Sequence, residues 1–182
     1  YQLYVKENMP SLAALAGSAG YDTTAFHPYK SSGWNRPIAY QDLGFDHQLY
    51  EEDVEDPYLI RHYISDRSDY ETVMETTRSA NAAGQKCFVF NVTMQNHSGY
   101  SQGWNNLSGD VTVTGGAKPS SITTQYFSLM KESDQAIQAL VEHYSQVDEK
   151  TMIVFFGDHQ PPLGNTFFET LYGKKLDERD PE

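Results

Sequence analysis

Two short apolar runs constrain this chain more than any other feature: Cys87 to Met94 and Thr151 to Phe156, each rich in Val, Ile or Phe and each entering a polar cluster. Runs of that length and composition read as strands buried in a parallel sheet. Between them lies the strongest helical pattern, about Ile122 to Ser145, with Phe127, Met130, Ile137, Leu140 and Val141 spaced among acids and amides. A helix that joins two such strands is a crossover connection. Upstream, Pro10 stands near the start of the alanine-rich segment Ser11 to Ser18 and Gly20 follows it, the asymmetry expected of a short helix. Tyr21 to Phe26 reads as a strand and Phe45 to Tyr50 as a weaker one. Asp69 to Ala82 reads as a helix with capping oxygens from Asp66, Ser68 and Asp69, ended by Gly84. The alternation predicts an α/β sandwich around a mostly parallel sheet, forming one domain or part of one across residues 1–182. Two segments resist regular structure: His27 to Asp42, and Ser98 to Ser121 with its Gly115-Gly116 pair. Loops after the C-terminal ends of parallel strands are where ligands bind.

Charge narrows the partners. With 13 Lys and Arg against 25 Asp and Glu, the formal net charge is -12, which argues against nucleic acid. The longest strongly apolar stretch, Met152 to Phe156, falls far short of a membrane span, and no export signal is evident at the start of the chain. Cys87, the single cysteine, sits in an apolar run, where a structural thiol is expected rather than a nucleophile.

The sharpest chemical signal is Met152-Ile153-Val154-Phe155-Phe156 running into Gly157-Asp158-His159-Gln160-Pro161-Pro162. A strand end is a rigid support, and an adjacent Asp and His offer oxygen and nitrogen donors for a divalent ion. The plain alternative is an Asp capping a turn beside a solvent-exposed His. His97 follows the previous strand through Gln95-Asn96, and His27 follows the first, so three strand ends are expected to deliver His27, His97 and His159 to one rim. Beyond His27, the loop Ser31 to Pro37 combines Trp34 with Arg36. Arg36 could fork onto a phosphate or sulfate while Trp34 packs on the non-ionic part of a substrate. Read alone, the loop favours Trp34 anchored to the core and Arg36 at the surface. His47, His62 and His143 read as structural or surface residues, the last two in helical or helix-flanking sequence.

Phe26-His27-Pro28-Tyr29, Gly33-Trp34-Asn35-Arg36, Asn91 to His97 and Phe156 to Pro161 together resemble the lipoteichoic acid synthase-like sulfatases of the alkaline phosphatase superfamily. The resemblance covers nearly the whole chain, with the motifs in order. It implies a three-layer α/β/α domain held at the extracellular face of the membrane by a membrane anchor in the parent protein. It further implies a threonine nucleophile, activated by a divalent metal, that attacks a phosphoglycerol donor. The metal is Mn2+ first, with Mg2+ or Zn2+ as alternatives. Residue by residue, it assigns Asp158 and His159 as metal ligands and His27, Trp34, Arg36 and His97 as contacts to the phosphoglycerol group. His97 stands nearest the reacting oxygens as hydrogen-bond donor or proton carrier. It also places the nucleophile and a glutamate ligand before Tyr1, so no threonine here takes that role, and the isolated chain is expected to be inactive.

Two functions follow as expectations. One is a portion of a metal-dependent phosphoglycerol transferase or sulfatase-like hydrolase acting on phospho- or sulfo-esters in cell-envelope polymer synthesis. The other is a non-catalytic module that binds an anionic glycan or phospholipid headgroup. An unpaired strand edge would in addition make the chain self-associate.

Overall fold

The computed structural model describes residues 4–7, 9–114 and 120–176; the Gly115-Gly116 pair lies outside them. Its centre is β1 (Tyr21–His27), which pairs in parallel with β2 (His47–Tyr50) on one side and β5 (Lys86–Asn91) on the other. The register runs Thr24 to His47 through His27 to Tyr50 against β2, and Tyr21 to Lys86 through Phe26 to Asn91 against β5. A strand flanked on both edges has its amides taken up by neighbours, so it can be buried outright. Thr23, Ala25 and Phe26 are accordingly all but inaccessible. Aromatic rings cover the sheet here: Tyr40, Tyr50 and Ala25 form a core with Phe45 and Phe90 packed against them.

The helices follow local chemistry. In α1 (Leu12–Ser18), Ser11 caps the first turn by accepting from the Ala14 amide at 2.9 Å. The long helix expected from about Ile122 is α4 (Ser121–Tyr144), opened by a capping box between Ser120 and Thr123. It packs on α3 (Asp66–Ala82) through Tyr70, Ala136 and Leu140. The N-cap of α3 is Ser65 and not the three expected residues, because the Ser65 hydroxyl accepts from the Ser68 amide at 3.2 Å. Asp66, Ser68 and Asp69 therefore fall inside the first turn and are buried.

Four elements depart from expectation. The segment His27 to Asp42 is not irregular throughout, since α2 (Arg36–Asp42) forms with Pro37 in its first turn. A hairpin of two-residue strands, β3 (Leu59–Ile60) and β4 (Tyr63–Ile64), precedes α3. A further helix, α5 (Asn165–Tyr172), follows the Asp158-His159 loop. The fourth departure is a correction: Thr151 to Phe156 forms no strand. Met152 is 86% exposed, Val154 72% and Phe156 69%. Its composition favours an extended backbone, but a strand is completed only by pairing, and the sheet order β2-β1-β5 gives it no neighbour among the described residues.

A polar network joins α3, α4 and the segment after β5. The Gln95 carboxamide accepts from the Asp66 amide at 2.9 Å and donates to the Ser133 hydroxyl at 3.0 Å and the Leu129 carbonyl at 3.3 Å. Asn96 also donates to Ser133, at 2.8 Å, and Ser133 in turn donates to the Asp66 carboxylate. Asn91 donates to Asp69. Burial pushes the Asp66 carboxyl up to about 6, against the pull of its hydrogen bonds to Ser133 and Gln95. Burial likewise holds Asp69 well above the usual carboxylate range. With a folded value above the unfolded one, Asp66 takes up its proton in the native state first, so burial of its charge destabilises the fold above pH 6 and this cost is relieved as pH falls toward 4. Asp66→Asn, which keeps an acceptor for Ser133 without the charge, is expected to melt higher than the parent at pH 7.5. Thermal melts across pH should show that gap narrowing as pH falls through 6; a gap independent of pH contradicts the assignment.

Candidate functional site

Parallel pairing aligns strand ends. Because Phe26 pairs with Asn91, the last residue of β1, His27, lies beside the turn that leaves β5. The two elements are tied by the His27 imidazole, whose Nδ1 lies 2.9 Å from the Val92 carbonyl. A carbonyl can only accept, so Nδ1 carries the proton and Nε2 keeps its lone pair. Nε2 is buried and has no hydrogen-bond partner among the described residues, in a residue only 3% exposed. Burial, with added repulsion from Arg36 and His97, lowers the His27 pKa to about 4 despite the Val92 bond. The ring is neutral at physiological pH.

The loop after β1 inverts the reading made from it alone. Arg36 is 7% exposed, with Nη1 donating to the carbonyls of Lys30 at 3.2 Å and Gly33 at 3.3 Å and the guanidinium 6.0 Å from the centre of the Tyr29 ring. Trp34 is instead 69% exposed. Trp34 and Asn35 both take left-handed backbone, φ 59° and 55°, which swings the indole outward as the chain turns into α2. A Cβ at Gly33 would stand 2.6 Å from the Arg36 Nη1, so a side chain there would displace the end of the guanidinium.

His97 is exposed on the turn after β5, held by its amide to the Met94 carbonyl at 3.0 Å. Its Nδ1 lies 3.3 Å from the Tyr63 hydroxyl. Tyr63 and Tyr29 form the wall between the histidines: ring centres are 5.8 Å apart for Tyr63 and His97, 6.1 Å for Tyr29 and Tyr63, and 6.4 Å for His27 and Tyr29. A cavity of about 130 Å3 opens beside this wall, lined by Pro28, Tyr29, Glu51, Leu59, His62 and Tyr63. His62, on the β3–β4 turn that leads into α3, packs tilted against two rings, with centres 4.0 Å from Tyr63 and 5.0 Å from Trp104. His47 pairs with Asp22 at 2.9 Å on the surface, and His143 lies in α4. Cys87 is half-buried with its thiol pKa raised by burial, which suits a structural thiol.

Asp158 and His159 stand apart from this group. Their side chains are 78% and 69% exposed, with His159 Nε2 3.4 Å from Asp158 Oδ2. The His159 amide donates to Asp158 Oδ1 at 2.9 Å, the turn-capping arrangement, while its Nδ1 lies 3.0 Å from the Gln160 carbonyl. That second bond places a proton on Nδ1, while Nε2 faces the Asp158 carboxylate. A divalent ion takes four to six donors, and no group of three or more His, Cys, Asp or Glu residues among those described could hold one. Asp158 and His159 supply two donors, fewer than such an ion needs. Their loop is near the His97 turn: the Asp158 charge is felt by Tyr100, whose hydroxyl, pushed up to about 12 mainly by burial, donates to the Asn96 carbonyl at 2.7 Å. Of the three histidines expected at strand ends, then, the structure gathers His27 and His97, and no ring contact or hydrogen bond among the described residues joins His159 to either.

Arg61 was not foreseen. Like Arg36 it is buried and makes no ion pair among the described residues. The only sequence signal was a pair of polar residues between Ile60 and Tyr63, and Arg-His lacks the Asn-Gly character of a hairpin turn. Arg36, buried without a carboxylate partner among the described residues, stands beside a neutral imidazole, a setting that favours an anion at this rim.

The parallel sheet and the helices around it make an α/β domain that carries these groups at its strand ends. The sulfatase family profile matches residues 4–180, and the chain belongs to that family, one of transferases and hydrolases. A Rhizobium meliloti protein assigned to cyclic beta-1,2-glucan modification is 32% identical over 179 residues, 97% of this chain and 27% of that protein. The chain spans about a quarter of the length of the curated relatives it matches. Among solved structures, the lipoteichoic acid synthase LtaP of Listeria monocytogenes superposes with a TM-score of 0.63 at 21% identity, over 79% of this chain and 35% of that one. The Streptococcus pyogenes phosphoglycerol transferase GacH, in complex with sn-glycerol-1-phosphate, superposes with a TM-score of 0.55 at 22% identity, over 71% of this chain and 34% of that one. At these identities the structures establish the shared fold.

The His27 environment has a pH signature. Its folded pKa lies below the unfolded one, so the unfolded chain binds a proton first and native stability falls as pH drops from about 6.5 toward 4. NMR titration is expected to place the His27 midpoint near 4, and His27→Gln is expected to flatten the stability loss over that window. A midpoint at the ordinary 6.5 contradicts the burial argument.

Proposed function

We propose that this chain forms the substrate-holding part of a metal-dependent transferase or hydrolase that acts on phosphoglycerol-type esters. The observation that carries the reading is the buried guanidinium of Arg36, which makes no ion pair among the described residues, beside the neutral His27 imidazole, with His97 exposed at the same rim. Arg36 attracts the ester anion. His27 Nε2 can only accept, which suits a glycerol hydroxyl better than a phosphate oxygen. His97, tethered on Nδ1 by Tyr63 and open to solvent, is the donor or proton carrier at the reacting oxygens. Trp34 covers the non-ionic part of the donor, whether glycerol or lipid headgroup. The GacH complex with sn-glycerol-1-phosphate supports this class of ligand.

Asp158 Oδ2 and His159 Nε2 are two ligands of a divalent metal, Mn2+ first, with Mg2+ or Zn2+ as alternatives. Such an ion supplies Lewis-acid stabilisation to the developing charge. Within the larger protein we place this domain at the extracellular face of a membrane, in cell-envelope polymer synthesis. No helix among the described residues is long and apolar enough to cross a bilayer. The exposed run Met152 to Phe156 supports self-association of the isolated chain, which should appear as concentration-dependent mass in sedimentation.

Calorimetric titration of the chain with sn-glycerol 1-phosphate, with and without Mn2+, tests the reading. Arg36→Ala is expected to weaken binding roughly ten- to hundredfold. Arg36→Lys should recover part of that affinity, because an ammonium keeps the charge but not the fork. His159→Ala should abolish any tightening by Mn2+ and leave metal-free binding intact. Unchanged affinity in Arg36→Ala overturns the site, and binding indifferent to Mn2+ favours a non-catalytic module for an anionic glycan or phospholipid headgroup.

A further inference from the structure

Arg61 occupies the turn of the β3–β4 hairpin with left-handed backbone, φ 58°, a conformation that disfavours any side chain. Something must hold it there. Asn106 clasps the turn by accepting from the Arg61 amide at 3.1 Å and donating to the carbonyls of Leu59 at 3.1 Å and Arg61 at 3.0 Å. The guanidinium then turns inward, 3% exposed, between the rings of Tyr63 and Tyr100 at 5.2 and 5.6 Å. It makes no salt bridge with a carboxylate among the described residues. Instead three backbone carbonyls of one loop converge on it: Gln95 and His97 accept from Nη2 at 2.6 and 2.7 Å, and Gly99 from Nη1 at 3.2 Å.

We infer that Arg61 is a positioning residue for His97, a role that rests on the phosphate-site reading above. The loop from Gln95 to Gly99 has no regular structure of its own, and its conformation is set by carbonyls that point at one planar cation. His97 is gripped at both ends by the same hairpin: its backbone carbonyl by Arg61, its imidazole Nδ1 by the Tyr63 hydroxyl two residues on, 3.3 Å away. A guanidinium is suited to this task because its donors diverge in a fixed plane, whereas a lysine ammonium is a single point that cannot span three carbonyls in the same geometry. The left-handed backbone fits the same role, since it directs the Arg61 side chain back under the loop. Arg61 acts through His97 and need not touch substrate.

The test uses Arg61→Gly, which removes the fork and suits the left-handed turn, alongside Arg61→Lys, His97→Ala and the double variant Arg61→Gly with His97→Ala. The readouts are the His97 ring nitrogen shifts by NMR and the affinity for sn-glycerol 1-phosphate. In Arg61→Gly and Arg61→Lys the ring shifts are expected to move to those of a freely exchanging imidazole. Affinity should drop roughly tenfold, to the level of His97→Ala, and the double variant should lose nothing more. Should Arg61→Gly not fold, Arg61→Lys carries the same readouts. Unchanged ring shifts in the Arg61 variants, or losses that multiply in the double variant, overturn the inference. If instead the shifts move but His97→Ala binds as the parent does, the phosphate reading fails and the positioning role of Arg61 stands.

Discussion

The whole arrangement depends on β1 being paired in parallel along both edges. Parallel strands end on the same side, so the connections that leave β1, β2 and β5 emerge together, and the chemistry of this chain is concentrated in those connections. The bond from His27 to the Val92 carbonyl extends the β1–β5 ladder one step past its last backbone pairing. A side chain thus continues what the strands began, and in doing so it sets which imidazole nitrogen faces the site. Loss of parallel register would disperse His27, Arg36 and His97 even if every local turn survived.

Behind the rim, the buried network of Asp66, Gln95, Asn96 and Ser133 anchors the other side of the His97 loop to α3 and α4. The loop is therefore held from below by amides and hydroxyls and from the side by the Arg61 guanidinium. The buried titratable groups around the rim carry opposite pH dependences: His27 weakens the fold as acid is added, and Asp66 strengthens it over much of the same interval. The molecule as a whole can look indifferent to mild acid while individual variants do not.

Where pattern was local, the sequence was readable. Ser11, Gly20 and the alanines between them define α1; the apolar residues of Phe127 to Val141 define α4; and the compact runs before His27 and before Gln95 define β1 and β5. What escaped was decided by contacts distant in the chain. Thr151 to Phe156 has strand composition but no neighbour among the described strands, and composition does not provide one. Trp34 and Arg36 exchange the environments expected of them because the Lys30 and Gly33 carbonyls take the guanidinium in, while two left-handed residues turn the indole out. Arg61 and Tyr63 lie on strands of two residues, too short to leave a periodicity. Of the candidate site, the motif residues were visible and the residues that orient them were not.

The outward turn of Trp34 also gives the site an optical handle. The protein has two tryptophans, and they flank the same rim in contrasting surroundings: Trp34 is open to water beside Arg36, and Trp104 is half-buried against His62. An indole emits at longer wavelength in water than in a covered position, so the two contribute separable components to the intrinsic fluorescence. A molecule that settles over the rim and covers Trp34 would shift the long-wavelength component alone, and occupancy could be followed without attaching a label.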